Sequence, residues 1–188
     1  MRAFIAIEFD DAIRRLLVQA QERLREAGCK VRWARAEQMH VTLKFLGEID
    51  PATVEAVAEA MAHAAEAAAP FEVDVAGLGA FPPRGAPRVV WAGVEDPGGH
   101  IQRLQARLER RLERLGFERE RRAFHPHLTL GRVKDRHGAD RLRERIEGQP
   151  ARRFGRQRIE ELVLFQSELK PAGAVYTPLR RQRLGRED

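Results

Sequence analysis

This chain of 188 residues contains an internal duplication, which limits it to folds built from two similar halves. The pattern His-x-Thr-Leu occurs at residues 40–43 and again at 127–130, so the two copies are 127 − 40 = 87 positions apart. Around each copy the same order recurs: an amphipathic helix, a glycine, a short segment, the motif and a second helix. Two copies are too few for a solenoid. The sequence therefore predicts two lobes related by a pseudo-twofold axis.

Hydrophobic periodicity assigns most of the chain to helices and strands. The predicted helices cover residues 10–27, a segment from 51 to near 70, 98–115 and 138–147. The predicted strands cover residues 2–9, 31–33, 39–46, 71–75, 88–94, 127–133, 160–169 and 175–183. Glycines and prolines between 77 and 87 predict a loop, and residues 185–188 predict a frayed tail.

Several of these strands follow one another directly, which favours antiparallel or mixed sheets over a doubly wound parallel sheet. We therefore expect an α+β fold in which residues 1–188 form a single bilobal domain. Each lobe would have a sheet with helices packed outside, and a central cleft would separate the lobes.

Each motif lies in a predicted strand, whose successive side chains point to opposite faces. His40 and Thr42 therefore share one face of their strand, and His127 and Thr129 share one face of theirs. A single histidine on a strand is usually structural or merely exposed, but a duplicated pair that faces away from the core needs a shared reason. Two imidazoles can give and take a proton near neutral pH without a metal.

Two basic side chains near the motifs are candidate contacts to a phosphate. Strict alternation places Lys44 on the face of His40 and Thr42. It places Arg132 on the face opposite His127, unless a bend after Gly131 brings it round.

The remaining histidines are weaker candidates. His125 lies two positions before His127, and a His-x-His pair suggests a metal. A zinc site needs three or four ligands, and no cysteine or His-Glu cluster lies nearby, so we predict no metal. His125 is instead expected to flank the site and contact substrate. Three further histidines, which we expect at the surface, are His63, His100 and His137.

The composition restricts the chemistry further. The net charge of +6 suggests an anionic partner such as nucleic acid or a phosphate ester, although an arginine excess also fits solvated helix faces. Ser167 is the only serine and lacks the glycines of a nucleophile elbow. Cys29 is the only cysteine, which fits a reducing cytoplasm. The lack of asparagine is compatible with a thermophilic source.

No apolar run approaches the roughly 20 residues that cross a bilayer. The first nine residues are too short for a signal peptide, and Glu8 interrupts them. We therefore expect a cytoplasmic protein with no membrane contact, and we expect it to be a monomer.

With these motifs, the chain resembles the two-histidine (2H) phosphoesterase superfamily. Within it, the resemblance is to the bacterial and archaeal RNA 2′,3′-cyclic phosphodiesterases, also called 2′-5′ RNA ligases. The segments that carry it are MRAFIAI at 1–7, HVTLKFLG at 40–47 and FHPHLTLGR at 124–132.

The resemblance implies a bilobal α+β fold in which the motifs face each other across a groove. It implies hydrolysis of a terminal 2′,3′-cyclic phosphate on RNA to a 2′-phosphomonoester without a cofactor, and the reverse joining of RNA ends through a 2′-5′ bond. By the family pattern His40 is the proton donor and His127 the acceptor. The residues alone leave that assignment open, and they assign Thr42 and Thr129 to hydrogen bonds with phosphate oxygens.

Two alternatives remain. The same fold could serve a 2′-5′ oligonucleotide or small cyclic nucleotide phosphodiesterase. A non-catalytic RNA-binding module would use arginine contacts and base stacking, but it gives no reason for two His-x-Thr motifs.

Overall fold

The structure is a computed structural model that describes residues 1–149, 152–171 and 173–185. Four α-helices occur in these ranges: α1 Asp11–Arg25, α2 Val54–Glu66, α3 His100–Glu113 and α4 Ala139–Glu147. The same ranges contain nine strands: β1 Arg2–Glu8, β2 Val31–Trp33, β3 His40–Glu48, β4 Phe71–Phe81, β5 Val89–Glu95, β6 His127–Val133, β7 Arg153–Ile159, β8 Glu161–Lys170 and β9 Gly173–Arg183. Short 3₁₀ turns occupy Ala36–Gln38 and Pro51–Thr53.

The strands form one antiparallel sheet in the order β7-β4-β5-β6-β3-β1-β8-β9, and β2 pairs with β6 beside this path. The predicted α+β class is confirmed. The two halves do not form separate sheets, however, because β3 and β6 join them edge to edge. The sheet is curled into a half-barrel.

The duplication is visible in the positions of the strands. The starts of β1 and β5 are 89 − 2 = 87 residues apart, and those of β3 and β6 are 127 − 40 = 87 residues apart. The pseudo-twofold axis therefore passes between β3 and β6. The halves also exchange strands, since β4 pairs with β5 of the second half and β8 pairs with β1 of the first.

The two faces of the sheet differ in their cover. Alternate residues such as Ile5, Val41 and Leu128 are fully or almost fully buried in the main core, which includes the apolar stripes of all four helices. The opposite face carries a smaller cluster of Phe4, Ala6, Val163 and Phe165, with Tyr176 packed against it. We call this second face the site face. The period of two along each strand separates it from the core.

The predicted loop at 77–87 is wrong in its first part, because β4 continues to Phe81. Gly79 lies within this strand, and the position requires glycine because a Cβ there would come within 2.1 Å of the Trp91 ring. Gly77 has φ +76 at a register shift, where glycine permits a bulge. Strand β7 was missed, since only its Phe154 and Ile159 are apolar and buried. The predicted frayed tail lies mostly outside the described residues.

Candidate active site

Both motif histidines are oriented by a backbone carbonyl two residues before them. The Nδ1 of His127 donates to the carbonyl oxygen of His125 at 2.8 Å. The His40 ring donates to the carbonyl of Gln38, which tends to raise its pKa. The two carbonyls are 125 − 38 = 87 positions apart, so the duplication extends to this contact. Because a carbonyl only accepts, the proton is fixed on one ring nitrogen and the other is left for chemistry.

The two strands bring the motifs together. Val41 and Leu128 are paired where β3 meets β6. Continuing this antiparallel register by one residue places each histidine opposite the threonine of the other motif. The two histidines are then diagonal neighbours on one face, and such residues are typically about 7–8 Å apart. Charge on His127 also lowers the pKa of His40, which fits this proximity.

A bulge at the last residue of each motif inverts the alternation of the side chains that follow it. In β3, Thr42 pairs with Ala6 and Lys44 with Ile5, so one extra residue, Leu43, lies between them. In β6 the extra residue is Leu130, which is 130 − 43 = 87 positions later. Beyond each bulge, a residue that strict alternation would place on one face lies on the other.

The expectation that Lys44 shares the face of His40 and Thr42 is therefore wrong. Lys44 is opposite Ile5 on the core side, and only 7% of it is exposed. Its Nζ lies 2.8 Å from Glu109 Oε2 and 2.5 Å from the carbonyl oxygen of Glu118. This buried ion pair occupies the ammonium group, so Lys44 does not project toward a substrate.

The same inversion brings Arg132 to the site face, as a bend after Gly131 would. Gly131 pairs with Val90 on the core side, and the exposed Arg132 pairs with Val89. Its positive charge lowers the pKa of His127. The pseudo-twofold counterpart is Phe45, since 132 − 45 = 87. The sequence did not identify Phe45 as a residue of the site. Its ring contacts Phe4, and 69% of the residue is exposed.

Aromatic rings surround each histidine on the site face. The His40 ring stacks on Phe4 with a centroid distance of 4.8 Å and meets the edge of Tyr176 at 5.4 Å. The His127 ring meets Phe81 edge-on at 5.1 Å. These contacts hold the rings in place and remove water from them.

Burial differs between the two histidines, and their acidities differ with it. Burial, together with smaller effects from the charges of Arg14 and His127, lowers the pKa of His40 to about 4. Burial also lowers the pKa of His127, with smaller effects from Arg132 and His125. The hydroxyl of Thr42 lies 3.0 Å from Nε2 of His40, where it can bond to a neutral ring. In the free protein both rings are biased toward the neutral form.

Buried polar side chains on α1 and α3 support the two bulges. The Nε2 of Gln21 donates to the carbonyl oxygens of Ala34 and Leu130, each at 2.8 Å. On α3, Glu109 holds Lys44 and accepts from the backbone N–H of Glu120. Apolar periodicity does not identify such residues. Their signal is a polar residue inside an apolar helix stripe.

The other predicted site residues are placed as follows. Thr129 pairs with Trp91 beside His127. His125 contributes its carbonyl, whereas its side chain is exposed. His100 binds Asp96 and stacks on Phe71, away from the motifs. Within the described ranges, no three His, Cys, Asp or Glu side chains form a group that could hold a metal ion. None of the helices in those ranges combines the length and apolar character needed to cross a membrane.

Comparison with known proteins gives consistent matches over nearly the whole chain. A family model described as the 2′-5′ RNA ligase superfamily matches residues 9–170. An RNA 2′,3′-cyclic phosphodiesterase of Methanothermobacter thermautotrophicus is 35% identical over 184 residues, which cover 98% of this chain and 99% of that protein. A protein of the same name from Thermotoga maritima is 32% identical, with 95% and 93% covered.

Solved structures agree. A crystal structure of a Thermus thermophilus protein has a TM-score of 0.82 and 31% identity, with 100% of both chains covered. The crystal structure of E. coli LigT complexed with 3′-AMP has a TM-score of 0.77 and 26% identity, with 97% of both chains covered.

Proposed function

The chain belongs to the 2′-5′ RNA ligase superfamily, and from this premise we propose that it is an RNA 2′,3′-cyclic phosphodiesterase. The proposed reaction is hydrolysis of a terminal 2′,3′-cyclic phosphate to a 2′-phosphomonoester. Its main support is the pair of symmetry-related histidines, each oriented by a carbonyl two residues upstream and both on the site face. We further propose that one monomer, acting as a single domain in the cytoplasm, carries the whole site.

Water must lose a proton as it attacks phosphorus, and the departing ribose 3′-oxygen must gain one. In the proposed mechanism His127 accepts the first proton and His40 supplies the second. Because the cyclic phosphate is an anion, its binding next to His40 stabilises the imidazolium that a donor requires. The P–O3′ bond breaks, the new P–O bond comes from water, and the phosphate remains on O2′.

The remaining groups act on the phosphate oxygens. We assign to Thr42 and Thr129 hydrogen bonds to the non-bridging oxygens, where charge increases in the transition state. Arg132, on the same face as His127, adds positive charge at that position. His125 is assigned to the flank of the site through its exposed side chain. With the 5′-hydroxyl of a second RNA end as the attacking group in place of water, the same cleavage of the P–O3′ bond would join the two ends through a 2′-5′ bond.

The test is turnover of a short RNA that ends in a 2′,3′-cyclic phosphate, with phosphorus NMR to identify the ribose oxygen that keeps the phosphate. We expect a 2′-phosphate and activity in excess chelator. His40→Ala and His127→Ala should each lower kcat by roughly 10²–10⁴-fold, since each removes one proton-transfer group. His63→Ala, on the outer helix α2, is the matched control and should keep full activity.

Three results would redirect the proposal. Loss of activity with chelator would move the mechanism to metal catalysis. Preference for a cyclic mononucleotide or a 2′-5′ oligonucleotide would favour the related phosphodiesterases. Salt-sensitive RNA binding with no turnover would favour a non-catalytic RNA-binding module.

A further inference from the structure

Four arginines lie near enough to Tyr176, at one end of the site face, for their charges to act on its hydroxyl. Burial raises the pKa of Tyr176, and the charges of nearby guanidinium groups oppose this shift: Arg132, Arg32, Arg2 and Arg35. We call these four residues the arginine rim. Since the phenol keeps its proton, it can donate a hydrogen bond to an anion that the guanidinium groups attract.

The strand register places the rim on the site face. Arg32 in β2 is directly opposite Arg132 in β6. Arg2 in β1 and Tyr176 in β9 are both opposite Ser167, which lies in the strand between them. These side chains therefore lie on the same face of the sheet as the histidine pair, farther from its centre.

Hydrogen bonds fix the start of β9, the strand that carries Tyr176, against the rim. The guanidinium of Arg35 donates to the carbonyl oxygen of Ala174 at 3.0 Å, and Gln38 Nε2 donates to the same oxygen at 2.7 Å. A Cβ on Gly173 would lie 3.7 Å from a guanidinium nitrogen of Arg32. The guanidinium groups of Arg32 and Arg35 thus converge where β9 begins.

The rim has an excess of positive charge. Arg35 pairs with Glu37 at 2.7 Å. Across residues 1–149, 152–171 and 173–185, no ion pair to a carboxylate is found for Arg2, Arg32 or Arg132, and all three are exposed. Because nearby guanidinium groups repel one another, a polyanion that binds between them is favoured.

The order of the arginines along the face indicates what they bind. Arg132 is near enough to lower the pKa of His127, so it serves the reacting phosphate. Arg32 lies one strand farther out, where it converges with Arg35 at the start of β9, and both act with Arg2 on Tyr176. We propose that this outer part of the arginine rim binds the phosphodiester that precedes the terminal nucleotide of an RNA strand. This proposal rests on the proposed function, and it adds the direction in which the RNA strand runs across the site face.

The pseudo-twofold counterpart of the rim lacks the same features. Phe45 stands in place of Arg132, and Val89 stands in place of Arg2, since 89 − 2 = 87. Arg119 and Arg122 correspond to Arg32 and Arg35, since 119 − 32 and 122 − 35 are both 87, but no strand pairs there and Arg122 pairs with Glu120. A nearly symmetric pair of histidines therefore lies between unlike ends, and the RNA enters from the rim.

The experiment compares kcat/KM for an oligoribonucleotide with a 2′,3′-cyclic end and for a mononucleoside 2′,3′-cyclic phosphate. Arg32→Gln should lower the preference for the oligonucleotide by about 10-fold or more, mainly through KM, because a charged hydrogen bond to phosphate is lost. The KM of this variant for the oligonucleotide should also depend less steeply on salt concentration, by an amount that corresponds to roughly one phosphate contact. Arg119→Gln is the matched control and should keep the wild-type preference.

Equal losses on both substrates with Arg32→Gln would overturn the outer site, and so would an unchanged preference. A larger loss with Arg119→Gln would reverse the direction of the RNA. If the wild type turns over neither substrate, the proposed function fails, but the rim is still tested by fluorescence anisotropy. In that case a labelled oligoribonucleotide with a terminal 2′-phosphate should bind more weakly to Arg32→Gln than to Arg119→Gln, and equal binding would refute the rim.

Discussion

The bulge of β3 is supported by a buried ion pair, whereas the equivalent bulge of β6 is supported by a neutral amide. Lys44 and Glu109 form the first support and are both buried. Gln21 forms the second and is 2% exposed. Glu109 is 109 − 21 = 88 positions after Gln21, close to the spacing of the duplication. The same bulge is thus supported by a charged pair in one half and by a neutral amide in the other. His40 and His127 therefore have different surroundings.

The largest expected effect is on stability, from removing either support. Lys44→Met leaves the buried Glu109 carboxylate without its counter-ion, which should lower the free energy of unfolding by about 3–5 kcal/mol. Gln21→Met leaves two carbonyls without this donor, which should cost about 1–3 kcal/mol. Chemical denaturation measures both. The double variant Lys44→Met with Glu109→Gln should recover part of the loss. A cost for Gln21→Met that exceeds that of Lys44→Met would contradict the comparison.

A second effect concerns the pH dependence of stability. The pKa of His40 is about 4 in the folded chain and roughly 6.5 when unfolded, so the unfolded state binds more protons between these values. The free energy of unfolding should therefore fall as pH decreases from 6.5 to 4, by up to about 3 kcal/mol for this ring. Denaturation across this range should give a flatter profile for His40→Gln. If His127→Gln flattened the profile more, the assignment of the more buried ring would be wrong.

The smallest expected effect, a change in the pKa of His40 on binding an anion, is the most informative about the mechanism. NMR titration of the free protein should show His40 titrating near pH 4 and His127 at a higher pH. Inorganic phosphate in the site should raise the pKa of His40, because a bound anion stabilises the imidazolium. Should His40 remain near pH 4 with phosphate bound, it could not serve as the proton donor at neutral pH. The roles of the two histidines would then be exchanged.

Sequence periodicity predicted much of the fold and the centre of the site. Helix stripes and alternating strands follow from burial of one face, and the spacing of 87 residues predicted the relation between the halves. The bulges were not predictable, since their inversion depends on pairing with neighbouring strands. Strict alternation therefore assigns Lys44 to the wrong face and does not identify Phe45 on the site face. It leaves the face of Arg132 undecided. Gly79 indicates a loop in the sequence, because the contact with Trp91 that requires glycine within the strand is visible only in the structure.

The exchange of strands between the halves affects how the chain reaches its native state. Strand β1 needs β8 as a neighbour, and the two are separated by most of the polypeptide. During synthesis the first motif strand can pair with β1, but the other edge of β1 stays open until residues 161–170 leave the ribosome. Such distant pairing slows folding and exposes an unpaired edge meanwhile. A fragment cut between the two repeats would thus inherit a histidine motif without the sheet that holds it.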